Sequence, residues 1–218
     1  MIKERPRVAV ASRRSLPGAL DPYVDPIPAD AADADGYVGP AADARRIARD
    51  RPLLPVAEEG DLPEGFVERV FAHARLRTFL EGDWRVGDLV CFHARHKMQL
   101  LAHDPVRYRQ AGRVVAGAAA LPRAEVAAEY TEVFQATLAA EATVGRNVNA
   151  LQHCLGMLDL DPARRADLVE VIESYQAGLA PLSVPATLLR HHARGEAASW
   201  VRDQTYLSPY PDDLRGPG

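Results

Sequence analysis

A stretch near the middle of the chain carries most of its candidate catalytic side chains. At the helical rotation of 100° per residue, His93, His96, Lys97 and His103 fall on one face of a helix predicted over about 86–102. Apolar residues share that face: Val86, Leu89, Phe92 and Leu100. Burying an unpaired polar group costs about 2–7 kcal/mol, so packing alone does not explain this composition. We interpret the face as a candidate acid/base or substrate-binding site.

Lys97 is the most distinctive member of this face. The chain has 26 lysines and arginines, but only Lys3 and Lys97 are lysines. Desolvation can bring the pKa of a lysine into the range that acid/base catalysis uses, whereas an arginine stays charged. With His93 four residues earlier, Lys97 is therefore predicted to form a catalytic pair. The alternative is a structural lysine whose ammonium reaches a carboxylate at the helix edge.

Other polar side chains are predicted to bind the substrate; they are His96, His103, Arg146, Asn149, Gln152, His153, Gln204 and Tyr206. Asn149, Gln152 and His153 supply donors and acceptors for a polar, planar or carboxylate-bearing ligand. Gln204 and Tyr206 are predicted to close the pocket. The alternative is a buried hydrogen-bond network that holds the helices in register. The faces of the predicted helix away from Lys97 are expected to carry Asp88, Ala94, Arg95 and Gln99.

The histidines form an incomplete metal-binding pattern. An HxxH pair on a helix can direct two imidazoles at one ion, but the glutamate and spacing of HExxH are missing. Cys91 and Cys154 form no CxxC pair, and an iron–sulfur cluster needs three or four thiolates. We therefore expect no metal and no cofactor. The histidines would otherwise be core residues that hydrogen-bond to nearby oxygens.

Composition narrows the class of protein. The 218 residues carry a formal net charge of −4 and are 47% hydrophobic. This acidic balance argues against a nucleic-acid partner, which requires a basic face. No apolar run is long enough to span a bilayer, and residues 1–15 lack the apolar core of a signal peptide. We expect a cytoplasmic protein that acts on a small-molecule substrate.

The hydrophobic pattern divides the chain in two. Residues 1–63 contain nine of the seventeen prolines, which interrupt regular structure. A strand is expected over 7–12 and a short helix over 41–49, but no core of their own. From residue 64 onwards the pattern is helical, and no segment shows convincing alternation. The prediction is an all-α, multi-helix bundle-like domain over 64–218, preceded by a proline-rich, mostly irregular N-terminal arm over 1–63.

Four motifs occur in the order seen in the YbgA-like helical domain family. They read FHARHKMQLLAHDPVRYRQAGRVVA, NALQHCLGML, SYQAGLAPLSVPATLLRHH and QTYLSPYPDDLR. The resemblance covers about Phe66 to Arg215 and implies an all-α domain of poorly defined function. This agrees with the periodicity.

The same family resemblance bears on the N-terminal arm. In many bacteria the YbgA-like domain is fused behind an iron–sulfur domain that resembles thiouracil desulfidases. Residues 8–12 are similar to the first strand of that domain, but Arg13 stands where it has a cluster cysteine. The resemblance implies that residues 1–63 are a degenerate remnant without the cluster. Desulfidation by this chain alone is therefore not expected.

Two classes of function follow. The first is a small enzyme without metal or redox cofactor that acts on a polar metabolite. Stand-alone relatives are associated with natural-product tailoring, which implies a lyase- or cyclase-type reaction such as closure of an aziridine ring by an amine with loss of sulfate. The site would supply a base and cations for the leaving anion. The second is a non-catalytic subunit docked on a partner enzyme as a hetero-oligomer, or a substrate-binding domain for a thionucleobase desulfidase.

Overall fold

A computed structural model describes residues 4–195 and 199–214, which divide into two compact units. The first unit runs to Trp84 and also includes the segment that begins at Pro209. The second unit spans Arg85–Ser208. The predicted domain boundary at residues 63 and 64, which rests on the proline and hydrophobic patterns and on the family resemblance, stays a prediction.

The first unit is built on a small parallel sheet. Its strands are β1 (Arg7–Val10), β2 (Asp25–Pro28), β3 (Gly36–Gly39) and β4 (Val56–Glu58). They lie in the order β2-β1-β3-β4, and every neighbouring pair is parallel. Val8 of β1 is in register with Pro26 of β2 on one side and with Gly36 of β3 on the other. The two prolines of β2 lie on an edge strand, where a missing N–H is tolerated.

Two helices complete this unit, α1 (Ala41–Asp50) and α2 (Glu64–Glu81). Alternate strand residues belong to two apolar clusters, one with α1 and one with α2. Ala9 and Tyr37 pack with Ala44 and Ile47 of α1. The other cluster contains Val8, Val10 and Val38 together with Phe66, Val67, Val70 and Phe71 of α2. The sheet is therefore covered on both faces.

The prediction of a purely all-α fold with an irregular arm is wrong for this unit. The helical prediction missed the sheet because strands of a parallel sheet are buried on both faces and show continuous apolar runs, not alternation. The strand expected over 7–12 is confirmed as β1, and the helix expected over 41–49 is confirmed as α1. The expectation that residues 1–63 form no core of their own is wrong for the cluster with α1, which lies within that range, whereas the larger cluster needs α2.

A buried ion pair joins the sheet to α2 within the first unit. Arg77 Nη2 donates to Asp35 Oδ2 at 2.9 Å, and the carboxylate also accepts from the Arg7 amide at 2.8 Å. The Asp35 side chain is only 4% exposed. Burial raises the pKa of this carboxyl group, while the hydrogen bonds from Arg77 and Arg7 oppose that shift. The ion pair therefore compensates a carboxylate that has lost its water.

The second unit is helical, as predicted. Its helices are α3 (Val86–His103), α4 (Pro105–Gly117), α5 (Arg123–Ala139), α6 (Val144–Gly156), α7 (Pro162–Gln176), α8 (Ser183–Gly195) and α9 (Ser199–Arg202). Helix α3 contacts α4, α5, α6 and a 3-10 turn at Thr205–Leu207. In the described residues, no helix is long and apolar enough to cross a membrane.

The turn between α3 and α4 brings the two helices side by side. Asp104 accepts hydrogen bonds from the amides of Val106 and Arg107 at 2.8 and 3.1 Å, and Pro105 follows it at the first helical position. A carboxylate N-cap followed by proline begins a helix without a linker. Because α4 starts at once, Tyr108 of α4 lies beside His93 of α3.

Candidate acid/base site on helix α3

His93 lies at a junction of three helices in the second unit. Its Nδ1 is 3.1 Å from the hydroxyl of Tyr130 on α5, and its ring stacks on Tyr108 of α4 with centroids 5.3 Å apart and planes within 2°. Burial, and to a smaller extent the charge of Lys97, lowers the pKa of His93 to about 4. The imidazole is therefore neutral near pH 7.

Lys97 lies one turn further along α3. Its Nζ is 5.7 Å from the ring centroid of Trp200 on α9, within range of a cation–π contact. The side chain is half-buried. Among residues 4–195 and 199–214, Lys97 has no hydrogen bond and no carboxylate within 4.0 Å of its Nζ. The alternative role of a structural lysine paired with a carboxylate therefore has no support in the described part of the chain.

The other two histidines of α3 turn into the core. His96 is buried, and its Nδ1 lies 2.8 Å from the carbonyl of Phe92. His103 is buried as well, with Nδ1 2.6 Å from the carbonyl of Ala140. The three imidazoles thus have three different partners. Within the described residues, no three side chains of His, Cys, Asp or Glu are grouped closely enough to hold a metal ion.

Gln204 binds the backbone of α3 next to Lys97. Its side-chain amide donates to the carbonyl of Ala94 at 2.9 Å, and its side-chain carbonyl accepts from the amide of Met98 at 3.2 Å. These two backbone groups are four residues apart, the pair that one hydrogen bond of an α-helix joins, and the glutamine contacts both members of that pair. Gln204 therefore holds the turn of α3 that carries Lys97.

The neighbouring residue, Thr205, extends this contact. Its hydroxyl lies 3.1 Å from the carbonyl of Arg95 and 3.0 Å from Oε1 of Gln99. Gln99 is fully buried, so α3 packs against its neighbours also on a face away from Lys97. Helical spacing alone did not reveal it, because its hydrogen-bond partner lies 106 residues further along the chain.

Two predicted substrate-binding residues join α6 to its neighbours. Tyr206 is buried, with its hydroxyl 3.0 Å from Oδ1 of Asn147. Arg146 donates to the carbonyl of His103 at 2.5 Å and to that of Glu141 at 3.4 Å. Arg146 therefore satisfies carbonyls near the ends of α3 and α5, which a helix leaves unpaired.

The remaining predicted ligands, Asn149, Gln152 and His153, are exposed on α6. The face of α6 that packs in the core carries Ala150, Leu151 and Cys154 instead. These three polar residues do not line the buried surroundings of His93, and a binding role on the surface stays a prediction. Tyr130, Tyr108 and Trp200 are not among the predicted site residues, because no local motif marks them as neighbours of His93 or Lys97.

Most of the second unit lies within a match to a known sequence family. Residues 97–211, or 115 of 218, match the family described as "Protein of unknown function (DUF1722)". The chain belongs to this family. It is also 27% identical over 146 residues to "Uncharacterized protein YbgA" of Escherichia coli (strain K12), which covers 66% of this chain and 86% of that protein. No solved structure matches the chain. The YbgA-like resemblance is thus confirmed, whereas the desulfidase-like fusion and the N-terminal remnant stay predictions.

Proposed function

We propose that this chain is a small enzyme that performs acid/base chemistry on a polar metabolite with Lys97 and His93. The observation that carries the proposal is the environment of Lys97. A half-buried ammonium lies beside a neutral imidazole and the ring of Trp200, and no carboxylate of the described residues neutralises it. An ammonium in such a place favours a ligand with a negatively charged or strongly polar oxygen.

The reaction class is a lyase or cyclase reaction in natural-product tailoring. In the form suggested by the family resemblance, a substrate amine loses a proton and forms a C–N bond to a neighbouring carbon. A sulfate or similar group leaves that carbon with the electron pair of the broken C–O bond, and an aziridine-type ring results. Lys97 and His93 divide two tasks between them: accepting the proton and binding the leaving anion. A positioned acid or base contributes about 10²–10⁴-fold to rate.

The other residues support this pair. Gln204 and Thr205 hold the turn of α3 between Ala94 and Gln99, which carries Lys97. Trp200 covers the ammonium, and Tyr108 covers the imidazole. A site on a hydrogen-bonded helix keeps its two groups at a constant separation, which proton transfer requires.

The experiment replaces Lys97 in the native host by Lys97→Met, with Lys3→Met as the matched control. Untargeted mass spectrometry then compares the metabolites of the two strains. We expect the Lys97→Met strain to accumulate an open-chain amine that still carries its leaving group, while the control strain matches wild type.

An unchanged metabolite profile, with the Lys97→Met protein at its normal level, would contradict the proposal that the chain is an enzyme that uses Lys97. If deletion of the whole gene then alters the profile although Lys97→Met does not, the chain acts as a non-catalytic partner subunit. Co-purification with a second enzyme in stoichiometric amount would identify that partner.

A further inference from the structure

The hydrogen bond between His93 and Tyr130 has a determinable direction. Tyr130 is fully buried, and its hydroxyl makes one hydrogen bond in the described chain, to Nδ1 of His93. Burial raises the pKa of this hydroxyl, with a smaller contribution from Tyr108. The phenol therefore keeps its proton, and that proton needs an acceptor.

Two arrangements of protons are conceivable. If Nδ1–H of His93 donates to the phenol oxygen, the Tyr130 proton remains buried without an acceptor among the described residues, which is unfavourable. If the phenol donates to Nδ1, both groups are satisfied. A neutral imidazole has a single ring proton, which must then be on Nε2.

The other histidines of α3 provide a contrast. His96 and His103 each place Nδ1 against a backbone carbonyl, which can only accept. Both therefore carry a proton on Nδ1. Helix α3 thus carries histidines that are protonated on different ring nitrogens, because the partner of Nδ1 is a donor in one case and an acceptor in the others.

The Nε2 atom of His93 is not covered by protein side chains of the described residues that could bond to it. It makes no hydrogen bond there, and a Cβ added at Gly112 of α4 would lie 3.7 Å away. Glycine at that position places no side chain of its own against the nitrogen. A ligand oxygen is the complementary partner for an N–H in this position.

We propose that Tyr130 holds His93 in the Nε2–H tautomer, so that the imidazole offers a hydrogen-bond donor, not a base, to an oxygen that carries or develops negative charge. The tautomer is a property of the folded chain, and the identity of the ligand rests on the proposed function. His93 then binds the leaving anion, and accepting the proton of the substrate amine falls to the side-chain amine of Lys97. A neutral imidazole in this role stabilises charge without transferring its proton. Tyr130 is a positioning residue, because it acts through His93.

The test is a long-range ¹H–¹⁵N correlation spectrum of the histidine side chains in the full-length protein near neutral pH, without any ligand. His93→Gln assigns the His93 signals by their loss. We expect a protonated Nε2 and an unprotonated Nδ1 in His93, and a protonated Nδ1 in His96 and His103. An unprotonated Nε2 in wild-type His93 would overturn the proposal.

A matched pair of variants tests the cause. Tyr130→Phe removes the hydroxyl that bonds to Nδ1, whereas Tyr108→Phe removes one that has no hydrogen bond in the described chain. The His93 pattern should lose its preference for Nε2–H in Tyr130→Phe and stay unchanged in Tyr108→Phe, with His96 and His103 unaltered as a check on folding. A folded Tyr130→Phe protein with the wild-type pattern would exclude Tyr130 as the cause. If Tyr130→Phe does not fold, the wild-type spectrum decides.

This experiment is independent of the metabolite experiment. If His93 has the Nε2–H tautomer but the Lys97→Met metabolite profile is unchanged, the proposed enzymatic activity is rejected. The direction of the Tyr130–His93 hydrogen bond then still stands. If the Lys97→Met profile changes but Nε2 of His93 carries no proton, the proposed enzymatic activity stands and His93 is reassigned to proton transfer.

Discussion

The side-chain carbonyl of Gln204 accepts the amide of Met98 at 3.2 Å, one residue beyond Lys97, while its NH₂ group donates to Ala94 at 2.9 Å. This glutamine is buried and therefore has few water molecules to replace its partners. The turn of α3 that carries the candidate site thus depends on a residue more than a hundred positions away.

The first prediction concerns Gln204→Leu. The variant removes both hydrogen bonds to α3 and places an apolar side chain against the backbone groups that Gln204 contacts. We expect a loss of about 1–3 kcal/mol in the free energy of unfolding. The matched control is Gln152→Leu, because Gln152 is exposed on α6 and the change should stay within about 0.5 kcal/mol. Urea unfolding monitored by circular dichroism measures both, and equal midpoints would refute the prediction.

The second prediction concerns the ion pair of the first unit. Arg77→Leu leaves the buried carboxylate of Asp35 without its cation and should cost about 3–5 kcal/mol. Arg46→Leu is the control, since Arg46 pairs with Asp43 on an exposed face and such pairs contribute about 0–1 kcal/mol. Thermal unfolding should show a much lower Tm for Arg77→Leu than for Arg46→Leu. Similar Tm values for the two variants would mean that another group compensates the buried charge of Asp35.

The third prediction concerns pH. Burial first, and Lys97 second, lowers the pKa of His93 to about 4, whereas an unfolded histidine has a pKa of about 6.5. Between these values the unfolded state binds more protons, so stability contributed by the neutral imidazole is present above pH 6.5 and is lost as the pH falls towards 4. Because the ring is partly exposed, screening reduces the effect, and we expect about 1–2 kcal/mol.

The measurement compares wild type with His93→Gln by urea unfolding at several pH values from 7 to 4. The wild-type protein should lose more stability over this range than the variant. Other titrating groups, including the buried His73, contribute to both proteins and cancel in the difference. Parallel curves would show that His93 does not titrate differently in the folded state.

The fourth prediction separates stability from function at Gly112. Alanine has a higher helix propensity than glycine by about 1 kcal/mol, and its Cβ would lie 3.7 Å from His93 Nε2, an ordinary contact. Gly112→Ala should therefore raise Tm while it hinders access to Nε2 and reproduces part of the Lys97→Met metabolite phenotype. Gly117→Ala is the control, because no atom lies within 4 Å of its added Cβ. An active, stabilised Gly112→Ala protein would show that ligands do not approach Nε2 from this side.

Local sequence determined much of the second unit. The 3.6-residue periodicity predicted α3 over about 86–102, and the helix is observed over Val86–His103. Asp161 followed by proline is a local signal for the start of a helix, and at the start of α7 Asp161 accepts the Arg164 amide at 2.9 Å. The four-residue spacing of His93 and Lys97 placed them on adjacent turns. Helix geometry and capping act over a few residues, so they can be inferred from neighbours in the chain.

Only the tertiary structure decided the rest. The hydroxyl at His93 comes from Tyr130 on α5, and the amide that holds the Lys97 turn comes from Gln204. The sheet in the first unit joins strands as distant as β1 and β3, whose buried residues show no alternation that marks them as strands. Such contacts depend on which surfaces meet when the apolar faces are buried, and a pattern read along one segment does not contain that information.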